Sequence, residues 1–249
     1  MRRMERLAFF AALRWECAPI LRTMRRVRRA RLDGFSAWQA AQDGRELWLI
    51  KTGMGPERAA AAAAVASQQG SFDCFVSTGC AGALAPDLVP GDLAVATTVI
   101  STPSGAHFET DAAYSRRIHA AAARAALRTT IGPVLSSPTA LVTPAAKQAV
   151  AAATGTVAVE MEGAGIGACA QAAGIPFVVV RAILDTASTE LHGSGMFVDP
   201  QTGAVRPWPL LRYLARRPAA AAHLLALQRM MAAAQRSLER VFARLLALA

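Results

Sequence analysis

Short apolar runs, each closed by glycine, proline or a charged residue, punctuate the chain up to residue 185, and alanine-rich stretches lie between them. Runs at 7–13, 36–42, 46–52, 72–78, 93–100 and 129–135 have the length and β-branched or aromatic content of strands. Asp43-Gly44 between the second and third predicts a hairpin turn. Helices are predicted over 16–24, with Pro19 near the first turn, from Pro56 through the alanine run that follows, over 111–127 and from Pro144. Gly79, Ala81 and Gly82, following a strand, would let a ligand approach the backbone closely, Pro90-Gly91-Asp92 turns the chain, and 101–110 reads as a polar loop. Such alternation predicts one α/β unit, a three-layer α/β/α sandwich around a mixed central sheet.

One stretch departs from simple alternation. Residues 157–185, VAVEMEGAGIGACAQAAGIPFVVVRAILD, open with an apolar run that ends on Glu160, Met161 and Glu162. Small residues follow (Gly163, Ala164, Gly165, Gly167, Ala168), which would let a helix lie close against a sheet, and a second apolar run ends on Arg181 and Asp185. The pattern predicts a βαβ unit whose two parallel strands deliver carboxylates at their carboxyl ends, where ligands bind in open α/β sheets.

Beyond residue 185 the pattern changes to a loop-rich connection and then a long helix over 219–248. At helical spacing Leu224, Leu227, Met231, Leu238, Phe242 and Leu245 fall on one side of it, and Arg229, Arg236, Arg240 and Arg244 on the other. The expected organisation is one domain over 1–210 with a basic amphipathic extension of it over 211–249. The helix reads either as a terminal element packed on the core with a wet outer face, or as a surface that docks on anionic membrane.

Composition narrows the classes. Apolar residues make up 53% of the 249, yet the runs are too short and too often broken by charge to span a bilayer. The first residues resemble a signal peptide only faintly, since Arg14 interrupts their apolar core, and read instead as a first strand. Four cysteines without C-x-x-C spacing and four scattered histidines predict neither a zinc site nor a disulfide framework, which fits a cytoplasmic protein. The net charge of +10 is concentrated in arginines at 22–31 and in the last quarter, and reads as a solvated face or as a surface for an anionic partner. With two tyrosines and no RNP-like strand, nucleic acid is not the expected partner.

Three blocks then carry a resemblance to the nucleoside phosphorylase and nucleosidase superfamily, which includes purine nucleoside phosphorylases and methylthioadenosine/S-adenosylhomocysteine nucleosidases. They are VEMEG with VVVRAILD, STGCAGALAPDLVPGDL at 77–93, and TGMGPERAAAA ahead of it. The resemblance implies cleavage of an N-ribosidic bond. It assigns Asp185 as general acid to the purine N7, Glu162 to the ribose hydroxyls and Met161 to packing under the sugar. It assigns Glu16 to positioning an attacking water, and Cys80, Ala81 and Gly82 to the pocket beside the anomeric carbon, with Glu160 among the substrate-binding residues and Leu141 as an adenine-side wall. No cofactor is implied, although phosphate is a possible co-substrate, and a homodimer or higher homo-oligomer is expected. The basic tail, VRPWPLLRYLARRP and the helix after it, looks like the hopanoid-associated branch, linked to releasing adenine from the lipid nucleoside adenosylhopane at the inner face of the membrane.

The residues also admit plainer readings. Glu160 or Glu162 can cap a helix, and so can Asp185. Leu184 stands where the nucleosidases usually carry Ser or Thr, Cys80 replaces a frequent Ser, and no arginine precedes the glycine block to grip phosphate; Arg58 and Arg181 are candidates for that role, but nothing in their spacing requires it. These departures favour water over phosphate as nucleophile. Gly163, Gly165 and Ala168 also satisfy G-x-G-x-x-A, the dinucleotide-binding fingerprint, but Glu160 and Glu162 would repel a pyrophosphate at that helix start.

Overall fold

The computed structural model describes residues 4–102, 104–190 and 220–247. In chain order the elements are β1 (Glu5–Ala11), α1 (Arg14–Thr23), β2 (Arg28–Ala30), β3 (Ser36–Gln42), β4 (Arg45–Lys51), α2 (Pro56–Ser67), β5 (Cys74–Ala83) and β6 (Leu93–Ser101). There follow β7 (His107–Glu109), α3 (Ala112–Arg124), β8 (Thr129–Ser136), α4 (Pro144–Thr154), β9 (Ala158–Glu160), α5 (Gly163–Ala173), β10 (Phe177–Asp185) and α6 (Ala220–Ala247). The strands form one mixed sheet in the order β10-β6-β8-β9-β5-β1-β4-β3-β2, and β10 also pairs with β5. That second pairing closes β5, β10, β6, β8 and β9 into a ring, while β1, β4, β3 and β2 continue outward as an open sheet. Helices α1, α3 and α6 cover one face through Cys17, Ile20, Ile118, Leu238 and Phe242. Helices α2 and α5 cover the other through Ala62, Ala63, Ala66 and Ile166, so the three-layer sandwich around a mixed sheet is as the sequence predicts.

The hairpin is where Asp43-Gly44 places it: β3 pairs antiparallel with β4 up to Gln42 opposite Arg45, and both turn residues have positive φ. Other expectations need correction. The strands flanking α5 are not parallel neighbours. Short β9 pairs antiparallel with β5 and parallel with β8, whereas β10 pairs parallel with β5 on its opposite edge. Ring closure thus puts β5 between them, with β9 and β10 running in opposite directions. The glycine block does not follow the strand but forms the second half of β5. Its backbone groups are taken up by β9 on one side and β10 on the other, so the glycines clear space instead of bending the chain.

The 101–110 loop contains β7, which pairs with β6 through Phe108 opposite Val99. Helix α1 begins at Arg14, so Pro19 lies in its second turn. The Trp15 carbonyl, four residues before the proline and denied its N–H, accepts Gln235 Nε2 from α6 at 3.0 Å instead. The small residues of α5 face α2 more than the sheet. A Cβ on Gly165 would collide with the Pro56 carbonyl oxygen and lie 3.0 Å from Ala60 N. Of the arginines on α3, Arg116 and Arg124 are exposed, whereas Arg117 is half-buried on Glu5.

Helix α6 lies along α1, α3 and β10. Its second half buries Ala234, Leu238, Val241, Phe242, Leu245 and Leu246, and Arg45 Nη1 donates to the Leu246 carbonyl at 2.9 Å near its end. Leu227 and Met231 are only half-buried among the described residues. Arg229, Arg236, Arg240 and Arg244 are exposed, as the spacing predicts. The side chain of Leu224 and the PWPLLRYLARRP stretch lie outside the described residues.

Candidate active site

The site forms where the ends of β5, β9 and β10 meet the start of α1. Register sets it up: Gly82 of β5 lies opposite Val159 on one side and Asp185 on the other. A β-bulge at Leu184 turns the last residue of β10 toward the cleft. A Cβ on Gly82 would sit 3.3 and 3.4 Å from the Asp185 carboxylate oxygens, so the glycine lets that carboxylate lie flat across the strand. The cleft, of about 190 Å3, is lined by every one of the residues named from sequence: Glu16, Cys80, Ala81, Gly82, Leu141, Glu160, Met161, Glu162 and Asp185. It brings them together although they come from five separate parts of the chain.

Each carboxylate is held differently. Glu16, in the first turn of α1, accepts the Leu13 N–H at 2.9 Å and the Cys80 N–H at 2.8 Å, so it caps its own helix and ties it to β5. Glu160 closes the N-terminus of α5, accepting from Glu162 N at 2.9 Å and from Gly163 N at 2.8 Å, and is paired with Arg181. Its carboxylate is therefore given to the scaffold even though the residue borders the cleft. With that helix start filled by a carboxylate and Gly165 pressed on α2, a dinucleotide pyrophosphate has no seat there, which removes the fingerprint reading. Glu162 accepts the Gly55 N–H at 3.1 Å and lies 3.5 Å from Arg181 Nη2. Gly55 belongs to the TGMG turn, with φ +97°, so that turn serves the site through a backbone donor.

Arg181 is the hub beneath. Its side chain is 1% exposed and donates to Ser77 Oγ and the Thr78 carbonyl, both at 2.9 Å, besides pairing with Glu160. Gly79 makes this possible: with φ +139° it has no Cβ, and one there would lie 2.6 Å from Glu16 Oε1 and 2.8 Å from Arg181 Nη1.

Glu16, Glu160 and Glu162 gather around this single guanidinium, and burial drives up the proton affinity of Glu162 and Glu16. Glu162 is pushed up to about 7 by desolvation together with the nearby charges of Glu160 and Glu16, against the pull of Arg181. Glu16 is raised for the same first reason. The Asp185 carboxyl is raised by burial and pulled back by Lys147. Burial also holds the Cys80 thiol neutral, well above its ordinary range.

Sequence reasoning missed several participants. Met54, Leu13 and Trp15 line the cleft, and Lys147 pairs with Asp185 from behind. The one signal for Lys147 was a solitary cation in the alanine-rich stretch PAAKQAVAAAT. Arg58 is not at the site: it is exposed and donates Nε to the Thr52 carbonyl at 3.0 Å. Among the described residues no lysine or arginine lines the cleft.

The mixed sheet, closed into a ring, gathers four carboxylates at the end of β5. Residues 6–202 match the model of the Phosphorylase superfamily, and the chain belongs to that family. It is 28% identical over 202 residues to a 5′-methylthioadenosine/S-adenosylhomocysteine nucleosidase of Aeromonas salmonicida, covering 74% of this chain and 88% of the relative. It is 29% identical over 182 residues to the enzyme of the same name from Anoxybacillus flavithermus, covering 64% and 76%. The fold matches the crystal structure of an S-adenosylhomocysteine nucleosidase from Streptococcus pyogenes in complex with 5-methylthiotubericidin, with a TM-score of 0.78 at 20% identity over 100% of this chain and 99% of the other.

Proposed function

We propose that this protein hydrolyses the N-ribosidic bond of an adenine nucleoside carrying a 5′ thioether, of the methylthioadenosine or S-adenosylhomocysteine kind, and releases adenine. The observation that carries this reading is the meeting of Glu162 and Asp185, from opposite sides of β5, in one cleft that Glu16 also borders. Breaking the bond builds positive charge on the ribose and sends the bonding electron pair to the base. Asp185, whose hold on a proton is strengthened by burial, gives that proton to the departing purine. Glu162 takes hydrogen bonds from the ribose hydroxyls, and Met161 packs beneath the ring, fixing the sugar for attack. Glu16, anchored by two backbone N–H groups, orients a water at the anomeric carbon and accepts its proton.

Water is favoured over phosphate because the described lining offers no lysine or arginine to grip a phosphate dianion, and Arg181 beneath it is already held by Glu160, Ser77 and the Thr78 carbonyl. The two nucleosidase relatives support the same choice. The test is adenine release from methylthioadenosine with and without phosphate: release of free ribosyl product at an unchanged rate in both supports hydrolysis, and a strict need for phosphate refutes it. Asp185→Asn is expected to lower kcat by about 100-fold or more, the usual worth of a general acid.

One observation favours a second reading, the lipid nucleoside adenosylhopane at a membrane surface. Arg229, Arg236, Arg240 and Arg244 form an exposed basic side of α6, and Leu225 on the same helix is 57% exposed. Faster adenine release from adenosylhopane in anionic vesicles than from methylthioadenosine would establish it, and the reverse preference would dismiss it.

A further inference from the structure

Helix α4 buries one side chain, and it is a lysine. Lys147 is 1% exposed in a helix otherwise made mostly of alanine. A buried ammonium is destabilising by several kcal/mol unless its three N–H groups all find acceptors, and here they do. One goes to Asp185 Oδ2, one to the Thr186 carbonyl at 2.8 Å and one to the Thr189 carbonyl at 3.0 Å. Two of these acceptors are backbone carbonyls just past β10, and the third is the carboxylate whose chemistry the cation can influence.

We propose that Lys147 is a positioning residue for Asp185, anchoring Oδ2 so that Oδ1 is the oxygen left to meet the departing purine. The proposal rests on the reading of Asp185 as the group that protonates the base. Two constraints already restrict that carboxylate: it lies flat against Gly82, and it follows the bulge at Leu184. Neither fixes its rotation. Leu184 has no hydroxyl to offer, and the Thr186 hydroxyl is spent on Thr189 Oγ1 at 2.7 Å, which leaves Lys147 as its side-chain partner among the described residues.

The pairing also acts at the right moment. As the C–N bond breaks, its electron pair moves to the base, N7 takes the proton from Oδ1, and the carboxyl becomes an anion beside a fixed ammonium. Lys147 therefore interacts more strongly with the transition state than with the protonated ground state, which is the condition for accelerating the step. The other charged groups at the cleft face one another: Glu16 from α1, Glu160 and Glu162 around the start of α5, and Arg181 from β10. Cys80, from β5, is an uncharged thiol. Among the described residues, the cation that bears on Asp185 is Lys147, from α4.

The experiment measures kcat and KM for adenine release between pH 5 and 9 for the wild type, Asp185→Asn, Lys147→Met, Lys147→Gln and Lys147→Arg. In the Met and Gln variants kcat at neutral pH is expected to fall by about 100-fold with KM changed by less than about 3-fold. Without the ammonium the acid keeps its proton to higher pH, so the alkaline limb of kcat moves upward in pH; Arg restores the wild-type limb and part of the rate. Joining Lys147→Met to Asp185→Asn is expected to cost no more than Asp185→Asn alone, since both act through one carboxyl. An unshifted limb, a loss confined to KM, or failure of both Met and Gln variants to fold would overturn the proposal and leave Lys147 a structural residue. If the wild type releases no adenine, or Asp185→Asn is fully active, it is the parent reading that has failed, and this one falls with it.

Discussion

Gly79 is the residue on which the cleft's geometry turns. Its φ of +139° suits glycine, and the space a side chain would fill is already taken by Glu16 and Arg181. Those two groups meet over the strand backbone, and the missing Cβ is what allows their approach. Gly79→Ala must either push Glu16 off its Cys80 hydrogen bond or displace the guanidinium that holds Glu160. Both shifts are on the scale of an ångström at a reacting centre, so kcat/KM is expected to drop by about 100-fold while the fold survives. Steady-state kinetics alongside far-UV circular dichroism would check this, and a fully active Ala variant would show that Glu16 and Arg181 are free to relax.

At the scale of elements, the contact between α2 and α5 connects packing to chemistry. Gly165 lets the start of α2 press on α5, and the turn that begins α2 delivers the Gly55 N–H to Glu162. Gly165→Ala opposes a methyl group to backbone atoms, which cannot rotate away, so the helices must part. Overpacking of this kind is destabilising by about 1–3 kcal/mol, measurable as a lowered urea midpoint. Because the Gly55 donor moves with α2, KM should rise as well; an unchanged midpoint would mean that the helix pair has slack.

The same pair illustrates what was legible beforehand. The run of small residues in α5 signalled a close approach, and the carboxylates at its start signalled a site, since both are local patterns. Which surface the small residues would meet, and that β9 would run against β10 with β5 between them, depend on ring closure between strands about 100 residues apart, for which no local pattern exists. Lys147 was hidden for a related reason: a cation on an alanine helix reads as solvated until the fold sets Asp185 in front of it.

For the whole molecule, the buried acids and the surface ion pairs set opposite limbs of stability against pH. Glu162 rises from 4.5 to about 7 on folding, and Asp185 and Glu16 are raised too, so between those values the folded chain holds protons that the unfolded chain has lost. Stability contributed by such groups is fully present below the unfolded pKa and declines as pH rises through the folded one. Glu5 acts in reverse. Burial alone would raise it, but Arg117, Arg45 and Tyr114 together outweigh that and hold it at about 2, so its contribution is present above 4.5 and disappears as pH falls toward 2. Acid conditions add general repulsion, because the +10 net charge climbs as the 17 carboxylates are protonated. Taking the difference between wild type and Glu162→Gln at each pH cancels that shared background. The amide can still accept the Gly55 N–H but cannot titrate, so the variant is expected to gain on the wild type by on the order of 3 kcal/mol between pH 4.5 and pH 8. Urea denaturation across that range checks it. A difference that stays flat would mean that Glu162 is ionised in the folded protein throughout.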